Sequence, residues 1–403
     1  MQHHAGWCAN ATLVMSVQKR NTRLLRAGRP THGWVNVPPT RASTFVFDSV
    51  AAWRDTRKRR ETERLNSYGA RGTDSTHALE DAVVELEAGH RAGFFPTGQA
   101  AIAVTLMTFL SPGEHLLMTD SAYEPVRRFC RDQLSKLGIR VTYYKPDGSD
   151  LQGKIQPNTK VIYVECPGSL VYEMLDLRAI SEIARAHHCW TIADNTWGSG
   201  WLYQPLALGA DISIIAATKY LSGHSDVMMG ISVANERAWP YLQNAVVDYG
   251  QTVGGDDAYL VSRGIRTLPA RMATHAESAR RVMQWLASRP EIVHIFNPSL
   301  PQDPGYEIWK KDCAGINGLV TIELAPCYDV AQSESFIDAL QLFGLGASWG
   351  GFESLVIPAN MQAARSLSNW NTRGQIVRLH IGLEDVEDLI ADLAQALDQL
   401  HLK

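Results

Sequence analysis

The chain has 403 residues, 45% of them hydrophobic and 20% charged, with a formal net charge of -4, a balance that fits an ordinary globular protein with a sizeable core and length for two domains. No apolar run approaches the roughly 18 residues of a bilayer span, and the opening MQHHAGWCANATLVMSV lacks the basic stretch, apolar block and cleavage site of a secretory leader, so a cytoplasmic protein without a membrane partner is expected. The mild negative charge speaks against nucleic acid as a partner of the whole molecule, and the scattered cysteines (Cys8, Cys130, Cys166, Cys189, Cys313, Cys327), with no CxxC pair, point away from disulfides and structural metal.

Residues 1–70 are polar and arginine-rich, with Pro38 and Pro39 adjacent, and read as an arm that leans on something other than its own core. Within the arm, RDTRKRRETER (54–64) intersperses Asp55, Glu61 and Glu63 among its cations, which suits a solvated helix better than a nucleic-acid surface. From Thr76 the pattern becomes apolar strands alternating with amphipathic helices. The strands are AGFFP (92–96), HLLMT (115–119), RVTYY (140–144), KVIYVE (160–165), CWTIAD (189–194), DISIIA (211–216) and MGISVA (229–234). Such alternation predicts an α/β fold with a mostly parallel seven-stranded sheet covered on both faces.

Helices are predicted over QAAIAVTLMTFL (99–110) and LRAISEIARAHH (177–188), the second with Leu177, Ile180, Ala184 and His187 on one face. After SRGIRTLPARM a long helix (271–288) leads into the strands NGLVTIELA and QIVRLHIG and a terminal helix. That helix has Val386, Leu389, Ile390, Leu393, Leu397 and Leu400 on one stripe, and Glu384 and Asp385 at its start, where the dipole favours acids. The expected division is an arm at 1–70, an α/β domain at 71–265 and a smaller α+β domain at 266–403.

Three strand ends carry candidate chemistry. CWTIAD ends in Asp194, and ligands of open α/β sheets bind beyond the carboxyl ends of strands; alone, this Asp could equally cap the next turn. One crossover later DISIIAATK brings Lys219 to the same edge, where a lone lysine would ordinarily be solvated or paired. In FFPTGQAAIAVTL a strand, the turn at Gly98 and a helix of small residues present free N–H groups suited to phosphate. GxGxxG and GxxxxGK[ST] are absent, which disfavours nucleotide sites. An amine, a carboxylate and an anion cradle on one sheet edge are the three attachments that pyridoxal 5'-phosphate needs.

The blocks SAYEP, VECPGS, ADNTWGSG, AATKYLSGHSD, SRGIRTL, SWGGFESL and RLHIGLEDVEDLIADL lie in this order over about residues 65–400. Through them the chain resembles the cysteine and methionine metabolism branch of the fold-type I pyridoxal phosphate enzymes. The resemblance implies that fold and a carbon–sulfur β-lyase, with L-cystathionine as substrate and homocysteine, pyruvate and ammonia as products. Another cysteine S-conjugate, or the chemistry of γ-acting relatives, stands as the alternative.

The same resemblance assigns roles by position. Lys219 would carry the cofactor covalently and move protons, Asp194 would pair with the pyridine nitrogen, and Tyr123 would stack on the ring. Gly98, Gln99 and Thr218 would hold the phosphate, and Arg378, Ser348 and Trp349 the substrate. His224 and Asp226 of GHSD would be structural. In the family the arm motif Tyr-x-Arg reaches the cofactor phosphate of a neighbouring subunit, which implies a homodimer at least and commonly a tetramer. Here the motif reads SYGARG: Tyr68 is present, Ala70 stands where the arginine is expected, and Arg71 follows, placed to meet either the phosphate or the far carboxylate of the substrate.

Overall fold

The structure is a computed structural model and describes residues 18–371 and 373–401. Cys8 and the stretch read as lacking a leader lie outside the described residues. Helix α1 (Arg20–Arg26) and the exposed helix α2 (Val50–Arg59) precede α3 (Asp74–Glu87). The first sheet comprises β1 (Arg91–Phe95), β2 (His115–Thr119), β3 (Arg140–Tyr144), β4 (Thr159–Glu165), β5 (Trp190–Asp194), β6 (Ile212–Ala216) and β7 (Gly230–Ala234). Its spatial order is β1-β7-β6-β5-β4-β2-β3. Only β7 runs against its neighbours, pairing antiparallel with both β1 and β6, while the pairs among β2 to β6 are parallel. The expected mostly parallel seven-stranded sheet is therefore present, with each predicted strand within a residue or two of its place.

Helices α4 (Gly98–Phe109), α5 (Glu124–Asp132) and α6 (Leu177–Ala186) lie between these strands, and α7 (Trp239–Asp248) follows β7. One face of the sheet packs Tyr163, Ile192, Ile212 and Ile214 against Ile102, Leu106 and Val126 of α4 and α5. The other face buries Ile162, Val164 and Ala193 with Leu177, Ile180 and Ala184 of α6. At roughly 1.5–3 kcal/mol for each fully buried aliphatic side chain, these two layers fix the strand ends that bear the candidate site. Helix α6 stops at Ala186, so His187, expected on its apolar face, is instead the exposed cap residue.

Helix α8 (Gly255–Leu286) is longer than predicted and starts sixteen residues before position 271. Its first half, through Val261, Ile265 and Leu268, packs into the core of the first sheet. Its second half, through Ala279, Val282 and Leu286, packs under a second sheet. That sheet has five strands, β8 (Ile292–Phe296), β9 (Leu319–Leu324), β10 (Gly344–Leu345), β11 (Leu355–Pro358) and β12 (Ile376–His380), in the order β10-β11-β12-β9-β8. Two of them, β9 and β12, are the predicted strands. The terminal helix α9 (Val386–Leu397) buries Val386, Leu389, Leu393 and Leu397 on it, with the Asp385 side chain accepting the Glu387 N–H at its start. Among the described residues no helix is long and apolar enough to cross a membrane.

Candidate active site

Six strands, β1 to β6, have their carboxyl ends at one edge of the first sheet, and five of them bear the candidate site. The carboxyl ends of β1, β2, β4, β5 and β6 lead respectively to Gly98, Tyr123, Glu165, Asp194 and Lys219. At the end of β1, Thr97 accepts the Ala100 N–H at 3.0 Å and caps α4. The N–H groups of Gly98 and Gln99 have no intrahelical acceptor there. A Cβ on Gly98 would lie 2.8 Å from the Cβ of Ala216, so only glycine lets the helix start close against the end of β6. The positive end of the helix thereby opens beside the strand that carries Lys219.

Asp194 is 7% exposed. One of its oxygens accepts the Thr196 hydroxyl at 2.6 Å and the Thr196 N–H at 2.9 Å, and the other accepts a long hydrogen bond from the Tyr163 hydroxyl at 3.4 Å. The Thr196 hydroxyl in turn accepts the Ala216 N–H at 3.0 Å, linking the Asp194 loop to β6. Burial raises the acid of Asp194 from its ordinary value, opposed by the Thr196 and Tyr163 hydrogen bonds. Among the described residues no basic side chain pairs with it, so the carboxylate is set up for a cation from outside the chain.

Lys219 follows β6 in a tight turn in which its N–H donates to Ala216 O at 3.0 Å. Its Nζ donates to Ser348 Oγ at 2.8 Å and sits 5.2 Å from the Trp349 ring centre. The SWGG turn is pressed onto this lysine. Gly350 has φ +88°, and a Cβ there would come within 2.9 Å of the Lys219 carbonyl carbon, a position that excludes other residues. Burial, reinforced by the Arg378 charge, brings the Lys219 amine down to about 8. The Thr218 hydroxyl bonds the backbone of Met229, accepting its N–H at 3.0 Å.

The second sheet supplies the facing wall. Arg378, 6% exposed on central strand β12, donates to Ala347 O at 3.2 Å and Ser348 O at 3.0 Å, while its Nε has no partner. Among the described residues its acceptors are carbonyl oxygens and never a carboxylate. Two cations, Lys219 and Arg378, therefore converge where an anion is missing. Tyr123 is half exposed, and burial together with Glu165 and Asp194 raises its phenol from the ordinary value.

The structure thus brings Gly98, Gln99, Tyr123, Asp194, Thr218, Lys219, Ser348, Trp349 and Arg378 to one place. Tyr68 and Arg71 are elsewhere in the same chain. Arg71 pairs with Glu61 at 3.3 Å and lines a cleft with Arg64, Glu80 and Arg91, at the amino end of β1 and so away from the carboxyl edge. His224 donates its Nδ1–H locally to Ser222 O, 2.6 Å away. Thr196 and Glu165 are additions that the sequence did not assign. Glu165 had a visible signal, since KVIYVE ends in an acid as CWTIAD does. The donor set fits pyridoxal phosphate: an amine of lowered basicity, a buried carboxylate lacking a cation, and a helix start that a Cβ at Gly98 would close.

A sequence profile described as Cys/Met metabolism PLP-dependent enzyme matches residues 21–398. The chain is 45% identical to a cystathionine beta-lyase of Bordetella avium over 91% of its length and 92% of that protein. It is 42% identical to cystathionine beta-lyase MetC of Escherichia coli K12 over 94% of its length and 98% of that protein. Among solved structures, metB from Corynebacterium glutamicum superposes with a TM-score of 0.87 at 31% identity, covering 96% of this chain and all of that one.

Proposed function

Because the chain belongs to the Cys/Met metabolism PLP-dependent enzymes, we propose that it is a carbon–sulfur β-lyase that cleaves L-cystathionine to homocysteine, pyruvate and ammonia. It is a lyase that depends on pyridoxal phosphate. When bound, the cofactor supplies an electron-accepting ring that stabilises negative charge at the substrate Cα.

In this reading Asp194 keeps the ring nitrogen protonated, and the cation it meets restores the ionised form that burial disfavours. The Gly98 and Gln99 N–H groups and the Thr218 hydroxyl hold the phosphate, and Tyr123 lies against the ring. Arg378 receives the α-carboxylate through a two-pronged ion pair, with Ser348 and Trp349 closing the pocket. The Lys219 amine, at about 8, is neutral often enough near neutral pH to take the Cα proton. As the Cβ–S bond breaks, the protonated amine returns a proton to the leaving sulfur, which departs as homocysteine. Water converts the three-carbon remainder to pyruvate and ammonia, which balances the reaction. The arm residues Tyr68 and Arg71 act at the site of a second subunit in a cytoplasmic homodimer or tetramer.

The observation that carries this reading is the convergence of Lys219 and Arg378, from two different sheets, with neither paired to a carboxylate among the described residues. Identifying the keto acid released from L-cystathionine tests it. Pyruvate supports β-elimination, whereas 2-oxobutyrate would assign the chain to γ-elimination.

A further inference from the structure

Of the five strand ends at the site, β4 delivers a group with no role in the chemistry above. Glu165 stands directly opposite Asp194 in the β4–β5 ladder, and side chains of opposed residues share a sheet face. Tyr163, two residues earlier on β4 and on the same face, reaches Asp194 with its hydroxyl. Glu165 therefore projects from the face covered by α4 and α5, between the Asp194 carboxylate and the start of α5.

Its contact there is specific. Glu165 Oε2 accepts the backbone N–H of Tyr123 at 2.7 Å. Tyr123 is the N-cap residue of α5, and its own side chain makes no capping hydrogen bond. A phenol cannot both cap the helix and lie over the sheet edge, so the capping region needs an acceptor from another element. Glu165 supplies it, and the helix dipole favours a carboxylate at that end.

The placement is costly. Burial and the Asp194 charge raise the Glu165 acid well above its ordinary value. The arginine whose charge acts on it, Arg365, is already held by Glu173, with two contacts of 2.8 Å. An acid kept in this position serves something that a small apolar residue would not. We propose that Glu165 is a positioning residue that fixes Tyr123, and through it the aromatic wall of the cofactor ring site. The inference rests on the assignment of Tyr123 to that wall.

The test is titration of the cofactor-free full-length protein with pyridoxal phosphate, read as a dissociation constant from absorbance. Four proteins are compared with the wild type: Glu165→Ala, Glu165→Gln, Tyr123→Ala, and the Tyr123→Ala/Glu165→Ala double variant. Losing an acceptor to a buried N–H should weaken binding about tenfold in Glu165→Ala. Glu165→Gln keeps a carbonyl oxygen for the same N–H and should stay within about threefold of wild type. If Glu165 acts through Tyr123, the double variant binds no more weakly than Tyr123→Ala alone. Wild-type affinity in Glu165→Ala, a Gln variant as weak as the Ala variant, or additive losses in the double variant would each overturn the proposal. A wild-type protein that binds no cofactor would instead overturn the functional reading on which it rests.

Discussion

Lys219 and Arg378 set the electrostatics of the site, the Arg378 charge acting on an amine that has no carboxylate partner among the described residues. The ordinary amine value of 10.5 falls to about 8 through burial and the Arg378 charge. Between those two values the unfolded chain binds more protons at this residue than the folded one, so stability rises with pH across that window. The penalty of burying the charged amine is complete below about 8 and is relieved as pH approaches 10.5. Urea denaturation of the cofactor-free protein at several pH values should show this slope, and Lys219→Met should flatten it. Arg378→Gln removes the charge that acts alongside burial, so the amine midpoint should move upward. On the proposed assignment of Arg378 to the substrate carboxylate, the same variant loses that ion pair, and kcat/KM should fall roughly 100-fold or more. Unchanged kcat/KM would remove Arg378 from the substrate site.

At the level of elements, close backbone approaches explain both the site and the parts of the fold that local sequence conceals. Gly98→Ala places a Cβ 2.8 Å from the Cβ of Ala216, which should cost about 1–3 kcal/mol by overpacking and push the start of α4 away from β6. A denaturation midpoint and a cofactor affinity both equal to wild type would contradict this. The parallel strands of the first sheet were legible because burial on both faces leaves near-continuous apolar runs. The first half of α8 was not, because Gly264 and Pro269 read locally as breaks. Both lie inside the helix, and Gly264 is needed there, since a Cβ would meet the carbonyl oxygens of Leu221 and Ser222 at 2.3 and 2.4 Å. Strands β10 and β11 are short, and β11 ends in Pro358, so pairing with neighbours defines them rather than their own pattern. In the site, Lys219, Asp194 and Arg378 stood out as charges interrupting or ending apolar strands. Thr196 did not, because a hydroxyl that orients a neighbouring carboxylate leaves no pattern in the chain.

The whole molecule presents an arm whose candidate functional residues do not meet the site of their own chain. Arg71 is tied to Glu61 at the amino end of β1, and Tyr68 is half exposed, with Ala70 beside them where the family carries an arginine. A site shared between subunits gives a specific expectation for mixed oligomers. Lys219→Ala and a Tyr68 variant, each of low activity alone, should regain about a quarter of wild-type activity when co-assembled, because random pairing restores one intact site in half of the dimers. No regain in verified mixed dimers would mean that Tyr68 does not act at the partner's site. The central claim, that Lys219 is the reactive amine on which this arrangement converges, is tested most directly by reducing the cofactor-loaded protein with borohydride and mapping the modified lysine by mass spectrometry. A single labelled peptide carrying Lys219 is expected, and label on a different lysine, or none, would rule Lys219 out as the reactive amine.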